Sequence, residues 1–188
     1  MDSSRFHPEM ICNAWLFAGL AHKSQKYHTA SGTISYLAHL GMVASMARSA
    51  AIENGAADPE TAELVGILHD CMEDCSVTFD ALLTTFGRTI ANDVQALSKR
   101  KDLHGLTACM DSIDRITGSL ASSAAGMVKL ADRLANLSGL PHPKWADEKV
   151  AEYIEESKYI CKRLRDYSEF LAVRLEGRIA AWERTLEN

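Results

Sequence analysis

Proline and glycine are scarce in this chain, 4 and 11 of 188 residues, and aromatic residues make up only 7%. With few β-branched runs and abundant alanine and leucine, that scarcity weakens an all-β reading and favours helices. No stretch approaches the ~20 apolar residues that span a bilayer. The longest candidate, 14–21, is cut off by His22 and Lys23. The N-terminal residues Met1 to Pro8 lack a charged-then-apolar leader pattern. The five cysteines (Cys12, Cys71, Cys75, Cys109 and Cys161) form no CxxC pair, and an odd number suits free thiols better than a disulfide framework. Cys71 and Cys75 read either as small buried apolar residues or as a pair sharing a helix face with a metal. Positive charge is not in excess: 20 Lys and Arg stand against 25 Asp and Glu, a formal net charge of −5. This argues against a protein that coats nucleic acid. What is present, 47% hydrophobic and 24% charged residues, is the composition of a globular chain rather than a disordered one. The expectation is a cytoplasmic enzyme or binding domain with no membrane or nucleic-acid partner; nothing in the sequence fixes an oligomeric state.

Apolar residues recur at helical spacing along nearly the whole length. The pattern predicts helices over 9–27, 36–54, 58–74, 78–86, 88–98, 107–116, 124–137, 146–165 and 168–186. Residues 27–35, polar and containing Gly32, read as a loop. Asp58-Pro59-Glu60 is a helix start, with a capping oxygen, a proline at the first helical position and an acid that suits the dipole. No internal repeat or composition break divides the chain. The reading is one all-α domain over 1–188, with its core at about 10–165 and a C-terminal helix at about 168–186.

A few polar residues do not fit a bland core. His69 and Asp70 sit within the apolar run Leu64 to Met72, and Glu73 and Asp74 follow one turn later. A buried carboxylate costs several kcal/mol unless it is paired or binds a metal. One helix face thus presents an imidazole and three carboxylates; the carboxylates repel each other, and a divalent cation relieves that. A core histidine or an acidic helix end explains any one of the four but not the group. His39 lies in a second apolar stripe, and Asp132 in a third with Asn136 one turn on. Polar groups from three helices can converge in a bundle. Two histidines and two aspartates, without thiolate, suit Mn²⁺, Fe²⁺ or Mg²⁺ rather than structural zinc.

In this order, His39, His69-Asp70 and Asp132 resemble the metal-dependent phosphohydrolases of the HD superfamily. More narrowly, the chain is similar to the hydrolase domain of the RelA/SpoT family and to its small single-domain alarmone hydrolases of the metazoan SpoT-like type. The matching blocks are Ala21-His22 with Gln25, Gly32-Thr33 with Tyr36 and His39, Leu68-His69-Asp70 with Glu73-Asp74, Phe86-Gly87, Val128 to Leu134 with Asn136-Leu137, and Trp145 with Lys149-Val150 and Glu152-Tyr153. The resemblance implies an all-α, HD-type helical bundle around a divalent metal, Mn²⁺ or another such cation. It implies removal of pyrophosphate from the 3′ position of guanosine tetra- or pentaphosphate, leaving GDP or GTP. Residue by residue, it implies that His39, His69, Asp70 and Asp132 hold the metal and that Glu73 and Asp74 position and deprotonate water. Asn136, Lys149, Tyr153, Lys101, Lys23 and Tyr36 would meet the nucleotide.

Read from the residues alone, the chemistry agrees: a divalent ion with a nearby carboxylate is a hydrolytic pair, and phosphoryl transfer needs positive charge on the non-bridging oxygens. Lys23, Lys26, Lys99, Arg100, Lys101, Lys129 and Lys149 are the available cations. One rival reading keeps the metal and changes the substrate to another nucleotide, such as NADPH or a nucleoside phosphate. Another is a non-catalytic nucleotide-binding module, which would not need the Glu73-Asp74 pair.

Overall fold

The computed structural model describes residues 8–29, 32–56 and 58–187. Residues 1–7, on which the leader reading falls, lie outside them. In chain order the elements are α1 (Pro8–Ala21), β1 (Lys26–Thr29), β2 (Gly32–Ser35), α2 (Leu37–Glu53), α3 (Pro59–Leu68), α4 (Cys71–Cys75), α5 (Phe79–Phe86), α6 (Arg88–Leu97), α7 (Gly105–Ile116), α8 (Ser123–Asn136), α9 (Asp147–Leu164), a 3₁₀ turn (Arg165–Tyr167) and α10 (Glu169–Leu186). Among the described residues no helix is long and apolar enough to cross a membrane.

The all-α expectation holds, and the helix ends follow their capping residues. Thr78, Ser122 and Ser168 each accept a backbone N–H from the first turn they open, those of Ala81, Ala124 and Leu171, at 3.2 Å. Asp58 differs from its expected role: its carboxylate accepts the Thr61 hydroxyl at 2.7 Å instead of a backbone amide.

Three sequence readings are corrected. The helix expected over 9–27 stops at Ala21, and the supposed loop is a hairpin in which Lys26 pairs with Ser35 and Thr29 with Gly32. Tyr27, Thr29 and Ile34 favour extended backbone, and the Tyr27 ring packs against the His39 ring, centroids 4.9 Å apart. The helix expected over 58–74 is broken at His69-Asp70. The carbonyl of Gly66, which a continuous helix would offer to the amide of Asp70, instead accepts the ring N–H of His69 at 2.8 Å.

At the centre, α2, α3 and α8 pack on one another, with α1 against α3, α6 across α3 and α8, and α9 and α10 closing over α8. The buried apolar cluster runs from Ala14 to Trp182. Where α2 crosses α3 the backbones touch: a Cβ at Gly66 would lie 2.6 Å from the Cα of Ala44. That contact sits close in sequence to both His39 and His69. Gly66→Ala is therefore expected to destabilise the fold by roughly 1–3 kcal/mol, as overpacking does. Urea denaturation measures this, and an unchanged midpoint would contradict the close contact.

Candidate metal centre and catalytic cleft

Two helices and one helix break bring the predicted ligands together. His39 comes from the first turn of α2, His69 and Asp70 from the α3–α4 break, and Asp132 from the last turns of α8. One ligand atom each from His39, His69 and Asp70 lies within 4.8 Å of the others. Asp132 Oδ1 completes the far side, 3.3 Å from His39 Nε2 and 3.9 Å from His69 Nε2. The imidazoles are buried, 1% and 3% exposed, whereas the carboxylates keep an open edge at 19% and 16%. An open edge is what a substrate or water needs.

The hydrogen bonds test whether these residues suit a cation. His69 donates from Nδ1 to Gly66, which leaves Nε2 as a bare lone pair. That atom is buried without a hydrogen-bond partner and faces a carboxylate oxygen of Asp70 at 2.9 Å. A lone pair aimed at an anion is repulsive unless a positive charge lies between them. Two imidazoles and two carboxylates are a fitting donor set for a divalent ion.

Without a metal, a proton takes that place. Burial works against the His69 imidazolium, but Asp70 and Asp132 outweigh it and lift its pKa to about 9. Burial likewise works to raise the two acids. The His69 ring nevertheless holds Asp70 down at about 2, and His39, Lys129 and His69 hold Asp132 far below the usual carboxylate range. Burial and the Asp70 carboxylate keep the Tyr36 phenol well above its ordinary range, so it stays a donor, 2.5 Å from Asp70 Oδ2.

A pH dependence follows with a definite sign. Below about pH 9 the His69 proton must leave before a metal can bind. Metal affinity is therefore expected to rise with pH between 6 and 9, by up to about tenfold per unit, and level off above. Calorimetric titration in buffers of different ionisation enthalpy should show proton release at pH 7.5. Heats independent of buffer would contradict this.

Beside the ligands a polar cleft of about 140 Å³ is lined by Glu73, Asp74, Lys99, Lys129 and Asn136 as well as Tyr36, His69, Asp70 and Asp132. One Glu73 oxygen accepts the backbone amide of Lys99 at 2.8 Å, which ties the segment after α6 to the site. Asp74 accepts the side-chain amide of Gln25 at 2.6 Å. Asn136 donates to Asp132 at 2.8 Å. It also lines a second, aromatic cavity of about 480 Å³ with Tyr27, His28, Trp145, Tyr153 and Trp182.

Of the residues expected to meet the nucleotide, Tyr36, Asn136 and Tyr153 line one or both cavities. Lys149 is exposed and caps the Trp145 ring at 4.3 Å. Lys23 and Lys101 are exposed and line neither cavity. Lys99 and Lys129, which the sequence marks only among the available cations, line the polar cleft, and Lys129 is buried and 3.8 Å from Asp132; Tyr27 and Trp182, which the sequence does not single out, line the aromatic cavity. A lysine within the apolar run Met127 to Leu130, one turn before Asp132, is the signal that marks Lys129.

Comparison with known proteins agrees with this geometry. The HD domain model matches residues 36–137, the stretch that carries His39, His69, Asp70 and Asp132. The chain is 32% identical over 152 residues to the guanosine-3′,5′-bis(diphosphate) 3′-pyrophosphohydrolase MESH1 of Danio rerio, covering 79% of this chain and 81% of that protein. To the protein of the same name from Xenopus tropicalis it is 30% identical, covering 89% and 91%. A solved structure, described as a metazoan ortholog of SpoT that hydrolyses ppGpp, superposes with a TM-score of 0.78 over 97% of this chain and 99% of that one. At 22% identity that likeness speaks for the fold. With the family model covering more than half of the chain and these relatives aligned over most of it, the chain belongs to the HD-domain family and is similar to the MESH1 pyrophosphohydrolases.

Proposed function

We propose that the protein is a metal-dependent phosphohydrolase that removes pyrophosphate from the 3′ position of guanosine 3′,5′-bis(diphosphate) and its pentaphosphate analogue. The products are GDP or GTP. The MESH1 relatives carry that activity in their names and align over most of both chains. The observation that carries the reading is the convergence of His39, His69, Asp70 and Asp132 next to a polar cleft that Glu73 and Asp74 line.

His39, His69, Asp70 and Asp132 would hold the ion, and their mixed nitrogen and oxygen donors support Mn²⁺. When bound, a divalent ion supplies polarisation of a phosphoryl oxygen and a lowered pKa for water. The remaining work falls to side chains of this chain. Asp74, exposed at the mouth of the cleft, takes the proton of the attacking water. Glu73, held by the Lys99 amide, orients that water. Lys99 and Lys129 offset the charge that develops on the non-bridging oxygens. The water oxygen bonds to phosphorus, the bond to the ribose 3′-oxygen breaks, and that oxygen takes up a proton. Tyr27, Trp145 and Tyr153 offer ring faces for a base in the adjoining cavity. The five free cysteines support a reducing compartment such as the cytoplasm.

The test is product identity. Manganese-loaded protein incubated with guanosine 3′,5′-bis(diphosphate), NADPH and simple nucleoside phosphates should release pyrophosphate from the first, read by phosphorus NMR. Orthophosphate from NADPH, with the guanosine compound untouched, would replace this substrate by the rival one. No turnover of any member of the panel would leave a binding module.

A further inference from the structure

The geometry points to Gln25 as a positioning residue that aims Asp74, fixed in turn by the buried ring of His22. The inference rests on the reading of Asp74 as the proton acceptor and adds the device that holds it in place. Asp74 is exposed and lies on the short helix α4, so core packing does not select its rotamer. Its restraint comes from across the chain: Gln25 Nε2 donates to Asp74 Oδ2 at 2.6 Å.

The direction of every bond in this relay is forced. A carboxylate only accepts, so the Gln25 amide nitrogen must face Asp74 and its oxygen must face away. That oxygen meets Nδ1 of His22 at 2.6 Å, so Nδ1 is the nitrogen that carries the proton. His22 is 2% exposed, and its ring stacks on Tyr36, centroids 5.0 Å apart and planes 17° from parallel. The thiols of Cys71 and Cys75 flank it at 3.7 and 3.2 Å. Burial raises both thiols, Cys71 to about 12 and Cys75 to about 11, so they stay uncharged beside the ring. The backbone of Gln25 is pinned as well: its N–H donates to the His22 carbonyl at 3.0 Å, and its carbonyl accepts the Tyr36 N–H at 3.3 Å.

Gln25 and Tyr36 thus close the base of the β1–β2 hairpin, and each sends its side chain to one acid, Gln25 to Asp74 on α4 and Tyr36 to Asp70 at the α3–α4 break. Oδ2 of Asp74 is engaged, and Oδ1 is left for water. A neutral amide suits this task. A guanidinium in its place would form an ion pair and weaken the carboxylate as a base, whereas an amide orients it without that cost.

The test is a double-mutant cycle on the full, manganese-loaded chain. Gln25→Leu should lower kcat about 10- to 100-fold, the scale of a misplaced catalytic group, with KM within about twofold and metal content unchanged. In an Asp74→Asn background the same substitution should cost less than about twofold, since the residue it acts through is already gone. Gln25→Met, which keeps length and shape without the donor, repeats the measurement if the leucine variant melts early. Wild-type kcat, equal losses in both backgrounds, or a raised KM at unchanged kcat would each overturn the positioning role. Full turnover by Asp74→Asn alone would instead withdraw the catalytic reading of Asp74, and the relay with it.

Discussion

Asp132→Ala is expected to abolish metal uptake and, with it, turnover. The substitution removes the acid that faces both imidazoles, at 3.3 and 3.9 Å, and strips Lys129 and Asn136 of their shared partner. Losing an outer partner of a ligand already costs about 10- to 100-fold in metal affinity, so losing the ligand itself should exceed about 100-fold. Atomic emission after dialysis against a metal buffer reads this directly. A thermal melt provides a second readout: manganese should raise the Tm of the wild type by mass action and leave the variant unmoved. Full occupancy in Asp132→Ala would remove this residue from the metal centre.

The second large effect separates chemistry from metal binding. Asp74→Asn keeps the size of the side chain and its place beside Gln25 but cannot take a proton. Asp74 is one turn beyond Asp70, so the four residues proposed to hold the metal are untouched. Metal content should match the wild type, while kcat falls by about 10²- to 10⁴-fold, the range of general-base contributions. KM should move little, because the lost interaction belongs to the transition state. A variant that turns over at the wild-type rate would transfer the role to Glu73.

Periodicity made the helices legible and the chemistry-bearing exceptions visible. His69, Asp70, Glu73 and Asp74 interrupt an apolar pattern, and such an interruption can be read without a structure. Two features were hidden for physical reasons. The break at His69-Asp70 comes from a side chain that occupies a backbone carbonyl, and the helical spacing runs on across it as if the helix continued. The β1–β2 hairpin has only four residues per strand, too short a pattern to stand out, and its order depends on contacts of Tyr27 and Tyr36 with distant residues. Lys101, which the family resemblance places at the nucleotide, is exposed and lines neither cavity, whereas Lys99 of the same basic segment lines the cleft. Trp182 reaches the aromatic cavity from α10 and donates its indole N–H to the Gly139 carbonyl at 2.8 Å, a pairing across 43 positions that local spacing does not reveal.

Backbone contact between Gly66 and Ala44 has a consequence for how the protein tolerates change. Because main chain rests on main chain there, the gap between the two imidazole-bearing helices is a fixed bore rather than a side-chain gasket that neighbours can take up or let out. Drift among the outer apolar residues should therefore leave the separation of α2 and α3, and with it the spacing of His39 and His69, unchanged.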